Sequence, residues 1–104
     1  MNALALVAVI ALCGACQSSD VSRALGAECT TNHDCDDVCA TGPAWPDGLC
    51  TQSCMADADC PAEAACIPDM GGICAFRCAT DEMCMFLGTG YRCKMDMVSV
   101  CRGD

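Results

Sequence analysis

Cysteine spacing constrains this chain more than any other feature. From Cys29 onward, twelve cysteines fall into three sets of four: Cys29, Cys35, Cys39 and Cys50; Cys54, Cys60, Cys66 and Cys74; Cys78, Cys84, Cys93 and Cys101. Five residues separate the first member from the second in every set, and three separate Cys50 from Cys54 and Cys74 from Cys78. The unit recurs about every 25 residues, which marks a repeat architecture built from one small supersecondary element. Length varies only between the second and fourth members, as expected if those segments are loops on one face.

With 14 cysteines in 104 residues, the chain belongs with disulfide scaffolds rather than with domains that rely on a large apolar core. Its hydrophobic fraction of 54% is mostly Cys, Ala and an N-terminal apolar run, and the large aromatic side chains number one Trp, one Tyr and two Phe. Such a composition buries too little to offset chain entropy without cross-links.

Met1 to Leu12 is an apolar run shorter than the roughly 20 residues of a spanning helix, followed by the small residues Gly14 and Ala15. It reads as an export signal, with no Lys or Arg ahead of the apolar part. Cys13-Gly14-Ala15-Cys16 resembles a bacterial lipobox, although Cys13 stands where that motif usually has Leu. The resemblance implies cleavage after Ala15 and lipidation of Cys16. Parity agrees, because losing Cys13 and acylating Cys16 leaves the twelve cysteines of the repeats with no odd thiol. A soluble secreted form cut further downstream, for instance near Ala24, leaves the same twelve. Either route delivers the chain to an oxidising compartment.

The expected organisation is therefore a lipoprotein-type signal over 1–15, a lipid-anchored flexible tether over 16–28, and cysteine-rich repeats over 29–50, 51–74 and 75–104, the last including the tail. The polar stretch from Gln17 to Ala27 has no apolar periodicity and would hold the module about 20 Å from a bilayer. The membrane is then reached through the lipid anchor only. A net charge of −9, all of it after Gln17, sets the module against nucleic acid and anionic headgroups.

Each second cysteine is approached by acidic or amide residues: Asn32-His33-Asp34 before Cys35, Asp57-Ala58-Asp59 before Cys60, and Asp81-Glu82-Met83 before Cys84. Asp and Asn accept hydrogen bonds from nearby backbone N–H groups, so the motif reads as a turn or one-turn helix cap. A calcium loop would need more ligands than any one segment offers. Turn chemistry precedes two of the three fourth cysteines, as Pro46-Asp47-Gly48 and Pro68-Asp69-Met70-Gly71-Gly72, while Met95-Asp96-Met97 before Cys101 has no glycine. With Ile67, Ile73, Tyr91 and Val100 alongside, these segments predict one short hairpin per repeat. Helix is expected only as single turns near Ala62–Ala65 or Asp81–Phe86. The fold class is small and disulfide-rich: three tandem four-cysteine repeats with short β-hairpins and little helix.

Four cysteines allow three pairings per repeat, and spacing does not choose among them. The interlaced order is favoured because it pins both the turn and the hairpin to one centre: Cys29 with Cys39, Cys35 with Cys50, Cys54 with Cys66, Cys60 with Cys74, Cys78 with Cys93, and Cys84 with Cys101. Each bridge contributes about 3 kcal/mol in the chain-entropy picture.

The run from Cys54 through Cys60 to Cys66, with acidic residues before the middle cysteine, resembles the opening of the Dickkopf N-terminal cysteine-rich domain. That resemblance implies a secreted, non-enzymatic protein ligand or inhibitor, and it extends loosely over Cys29 to Cys101. Tandem sets of four and the lipobox depart from that family. In those respects the chain looks more like the cysteine-rich repeat lipoproteins of bacterial envelopes.

Other chemistry is thinly supported. The repeats hold no C-x2-C pair and the chain has one histidine, His33, so neither zinc nor thiol–disulfide exchange fits. His33 beside Asp34 reads as an exposed turn residue without a nucleophile to serve. Met83, Met85, Met95 and Met97 are soft thioethers suited to Cu(I), although Met also fills gaps beside disulfides. Trp45, in the longest loop of repeat 1, is a candidate partner contact, with core burial as the alternative. The terminal Arg102-Gly103-Asp104 matches the tripeptide read by integrins and is expected to be exposed and flexible, although so short a match arises often by chance and a bland C-terminus explains it better.

The resulting expectation is a non-enzymatic module without cofactor or metal, exported to a bacterial outer membrane or cell surface, that binds an unknown protein or envelope component or serves structurally there. The alternatives are a freely secreted Dickkopf-like ligand or inhibitor, and a copper binder using the repeat 3 methionines.

Overall fold

The computed structural model describes residues 21–104; the signal segment, Cys13 and Cys16 lie outside the described residues. Each repeat contributes one antiparallel hairpin: β1 (Val38–Ala40) with β2 (Leu49–Thr51), β3 (Ala64–Ile67) with β4 (Ile73–Phe76), and β5 (Arg92–Asp96) with β6 (Val98–Arg102). Among the described residues, helix is limited to 3-10 segments at Asn32–Asp34, Asp57–Asp59, Asp69–Gly71 and Asp81–Leu87. The expected small disulfide-rich fold with hairpins and little helix is what forms.

Register explains how the sulfurs are used. The third and fourth cysteines of each set lie directly opposite one another across the hairpin, as Cys39 and Cys50, Cys66 and Cys74, and Cys93 and Cys101. In repeat 1 the Cys50 N–H donates to the Ala27 carbonyl at 2.8 Å, and the Cys50 carbonyl accepts from Gly26 N–H at 2.8 Å. Both groups thus point away from Cys39, making this a non-hydrogen-bonded pair whose side chains stand together on one face. That face receives the C-x5-C segment. The bonds run from Cys29 to Cys39 and Cys35 to Cys50, Cys54 to Cys66 and Cys60 to Cys74, and Cys78 to Cys93 and Cys84 to Cys101. Every repeat therefore has the interlaced order.

The hairpins are spliced end to end. Leaving β2, the chain pairs through Ser53 with Ile73 of β4; leaving β4, it pairs through Arg77 with Val100 of β6. The fully buried Thr51 hydroxyl donates to the Cys74 carbonyl, so the polar group at this junction is satisfied. A single apolar cluster runs through all three repeats and contains Leu25, Trp45, Leu49, Ile67, Ile73, Phe76, Leu87, Tyr91 and Val100. The repeats share a core.

Two expectations need correction. The flexible tether over 16–28 does not hold for its described part, since Leu25 is only 3% exposed and Arg23 pairs with Asp36 at 3.5 Å. Ser22 and Leu25 close a turn that delivers Gly26 and Ala27 to the edge of β2, and this edge pairing, together with burial of Leu25, fixes the segment to the module while Val21, Ser22, Arg23 and Glu28 stay exposed. Nor does Ala62–Ala65 form a helical turn, because Ala64 and Ala65 lie in β3 opposite Phe76 and Ala75. Four residues of good helix propensity cannot nucleate a turn against a hairpin ladder and burial.

Candidate functional site

The acidic motifs resolve into structural hydrogen bonds. The residue three after each first cysteine receives the backbone N–H of the third: Cys39 N–H donates to Asn32 Oδ1, Cys66 N–H to Asp57 Oδ1 and Cys93 N–H to Asp81 Oδ1, each at 2.9 Å. These bonds occupy the outward N–H of the cross-strand cysteine and protect the first strand's edge. The residue before each second cysteine folds back on its own turn. Asp34 Oδ2 accepts from Thr30 and Thr31 N–H at 2.8 and 3.1 Å, and Asp59 Oδ2 from Met55 and Ala56 N–H at 2.9 and 3.3 Å. In repeat 3 the Met83 sulfur takes that position and accepts from Ala79 N–H at 3.3 Å. The two backbone donors hold the Asp34 carboxyl below the usual carboxylate range.

Trp45 is corrected as a partner contact. It is 2% exposed, packed in the shared core with the Arg102 guanidinium 5.3 Å above its ring. The loop that carries it is held by repeat 3: Tyr91 donates its hydroxyl proton to the Pro46 carbonyl at 3.1 Å, and Gly103 N–H donates to the Ala44 carbonyl at 2.8 Å. Burial, followed by the nearby Asp47 and Glu28 charges, pushes the Tyr91 hydroxyl up, so it remains a donor. The same contacts correct the terminal tripeptide. Arg102 lies within β6 and pairs with Asp69 at 3.1 Å and Asp104 at 2.9 Å, so its side chain is withdrawn from solvent rather than displayed.

His33 is exposed on the first 3-10 turn, and its carbonyl accepts from Arg23 at 3.2 Å. Three clusters of potential metal-donor atoms occur among the described residues, and each consists of cysteines already joined in disulfides. No helix among these residues is long and apolar enough to cross a membrane.

What the fold displays is methionine. Met55, Met70, Met83, Met85, Met95 and Met97 are all exposed, Met55 at 95% and Met97 at 85%, whereas every described Leu, Ile, Trp and Tyr is buried. Interiors normally collect Met together with Leu and Ile, so this division by residue type is unusual. The repeat 3 methionines do not converge. Met83 lines a hollow with Phe76 and Phe86, Met95 lies beside Asp69 and Lys94, and Met97 reaches a groove of repeat 2. That groove runs between Met55 and Met97 and is lined by Ile67, Pro68 and the Cys54–Cys66 disulfide.

Met55 and Met70 were not singled out by motif. The available signal is Met70 at a hairpin turn, directly before Gly71 and Gly72. No protein-family model, curated protein or solved structure matches this chain.

Proposed function

We propose that the protein is a non-enzymatic binding or structural module of a bacterial cell envelope, exported by its apolar leader and anchored through a lipid on Cys16. The observation that carries this reading is the lipobox-like Cys13-Gly14-Ala15-Cys16 directly after the apolar run, and the parity of the cysteines agrees with it. Six disulfides consume all twelve repeat cysteines, and the two outside the repeats, Cys13 and Cys16, sit where a lipobox would discard one and acylate the other. A disulfide framework of this density suits an oxidising compartment.

A binding role is supported by the contrast between a rigid, cross-linked interior and an exposed thioether surface. The described carboxylates with assigned partners serve backbone caps or arginine pairs, as Asp34, Asp57 and Asp59 do, which suits a scaffold better than acid–base chemistry. Fractionation of native cells with mass analysis of the N-terminal peptide tests the reading. Membrane-associated protein beginning at acylated Cys16, and its release by Cys16→Ser, are the expected results. Soluble protein beginning downstream would contradict the anchor and favour a freely secreted ligand.

A further inference from the structure

The exposed methionines divide between the two ends of the β3–β4 hairpin. Met55 and Met97 line the groove beside Pro68 and Gly71, Met70 lies in the turn itself, and Met95 stands beside Asp69, so these four gather at the turn end. Met83 and Met85 belong to the Asp81–Leu87 helix at the open end, where Phe76 pairs with Ala64. They are joined there by Phe86, which is 46% exposed and is the one aromatic side chain left outside the core. Three residues per 3-10 turn explain the arrangement. Cys84 and Leu87 face inward, Met83 and Phe86 share the flank over Phe76, and Met85 stays 68% exposed. Phe86 meets Phe76 edge-on with ring centres 5.0 Å apart, which covers part of Phe86 and leaves the rest facing outward with the thioethers.

The chain enters the module at this same end. Gly26 lies between Phe76 and Val21: a Cβ there would be 3.2 Å from the Phe76 ring and 3.3 Å from the Val21 Cα. Val21 is itself exposed, so it adds an apolar side chain beside the aromatic pair. Cys16 stands five residues earlier, and a chain of that length spans at most about 18 Å. A lipid on Cys16 therefore keeps the open end of the hairpin within short reach of a bilayer. The hollow between Phe76 and Phe86 carries one carboxylate, Glu63, and one guanidinium, Arg77, so the acidity of the whole chain is not concentrated there.

We infer that Met83, Met85 and Phe86, together with Val21, form a membrane-facing surface that enters the headgroup boundary of the bilayer holding the Cys16 lipid. Apolar side chains exposed together mark contact surfaces, and adaptable thioethers suit a fluid one. Stable attachment takes more than one weak signal, and this face supplies a second beside the acyl group. The inference rests on the lipid-anchor reading and assigns the face by which the anchored module meets its membrane.

The methionines themselves report on it. Oxidation by chloramine-T, read by peptide mass, is compared between the disulfide-bonded, acylated protein in phosphatidylcholine vesicles and the Cys16→Ser protein in solution. Met83 and Met85 should oxidise at least about threefold more slowly on vesicles, because a face in the headgroup boundary is shielded from an aqueous anion. Met55, Met70, Met95 and Met97 should change little. Met85→Glu should abolish the protection of Met83, whereas Met55→Glu should leave it. Both substituted positions are exposed, and an intact mass with six disulfides verifies the frame of each variant. Acyl mass on Cys16 with equal oxidation on vesicles and in solution, protection at the turn end instead, or protection that survives Met85→Glu would overturn the surface and leave the anchor standing. Absence of acyl mass on Cys16 would remove the anchor and this inference together.

Discussion

Repeats 1 and 2 and repeat 3 build the same hairpin on the same interlaced disulfides but stabilise it differently. In the first two, a carboxylate at Asp34 or Asp59 closes the C-x5-C turn, and a glycine lets the hairpin pass against the first cysteine. A Cβ on Gly48 would lie 1.9 Å from the Cys29 carbonyl oxygen, and one on Gly72 2.3 Å from that of Cys54. Repeat 3 has neither device. Met83 stands in for the carboxylate, and Ser99, inside β6, occupies the glycine position while its carbonyl still accepts from Cys78 N–H at 3.2 Å. Repeat 3 compensates with strands of five residues, against three or four in the others, and with docking onto both neighbours through Tyr91 and Arg102. Local hydrogen bonding can thus be exchanged for a longer ladder and tertiary contact while the covalent frame stays constant.

The largest expected effect comes from removing the frame itself. Replacing Cys84 and Cys101 together by Ala should cost about 3 kcal/mol in urea unfolding, from loop closure alone. Hydrogen exchange should rise first in repeat 3, leaving repeats 1 and 2 protected by their own bridges. A comparable loss attends Gly48→Ala or Gly72→Ala, about 3 kcal/mol each from carbonyl overlap at a positive φ, whereas Ser99→Ala should stay within about 0.5 kcal/mol. Equal effects at the three positions would erase the proposed difference between the repeats.

Arg102→Ala comes next, at about 2 kcal/mol by chemical denaturation. It removes a largely buried partner of Asp69 and the cation over Trp45. Arg92→Ala breaks an exposed 3.7 Å pair with Asp81 and should be close to neutral. The smallest effect is a pH dependence. Because the folded Asp34 carboxyl lies below its ordinary value, its contribution is present above the unfolded value of about 3.9 and is lost as pH falls through the lower folded one. Asp34→Asn should therefore be less stable than the parent at pH 7, with the gap closing in acid. Met83→Leu in repeat 3 should show no such pH dependence.

The parts of this fold visible in the sequence are those encoded locally. C-x5-C with Asn or Asp at fixed offsets specifies a capped turn, and Pro-Asp-Gly or a Gly-Gly pair specifies a hairpin bend, so the hairpins could be placed without tertiary knowledge. Ala62–Ala65 has local helix propensity, but the strand partner that Phe76 supplies lies far away in sequence and overrides it. Contacts distant in sequence were hidden. Nothing around Trp45 indicates that Arg102 will cover it, and a lone Leu25 in a polar stretch carries no period to mark it as core. The methionine surface was invisible for a related reason. Met is ordinarily an interior residue, and only the hairpin register and the exclusion of all six from a core filled by Leu, Ile and aromatic side chains place them outside.

The most direct test of the covalent account is disulfide mapping of the non-reduced, exported protein, with cleavage before Asp34, Asp36 and Asp47, at Asp57, Glu63 and Asp69, and at Asp81, Arg92 and Asp96, so that the four cysteines of each set lie on different fragments. Six linkages are predicted, each first with third or second with fourth within its own repeat, together with no free thiol in the repeats. Cross-strand linkage of Cys39 to Cys50, nested linkage of Cys29 to Cys50 with Cys35 to Cys39 or its equivalent in another repeat, any bridge between repeats, or reduced cysteines among the twelve would contradict it.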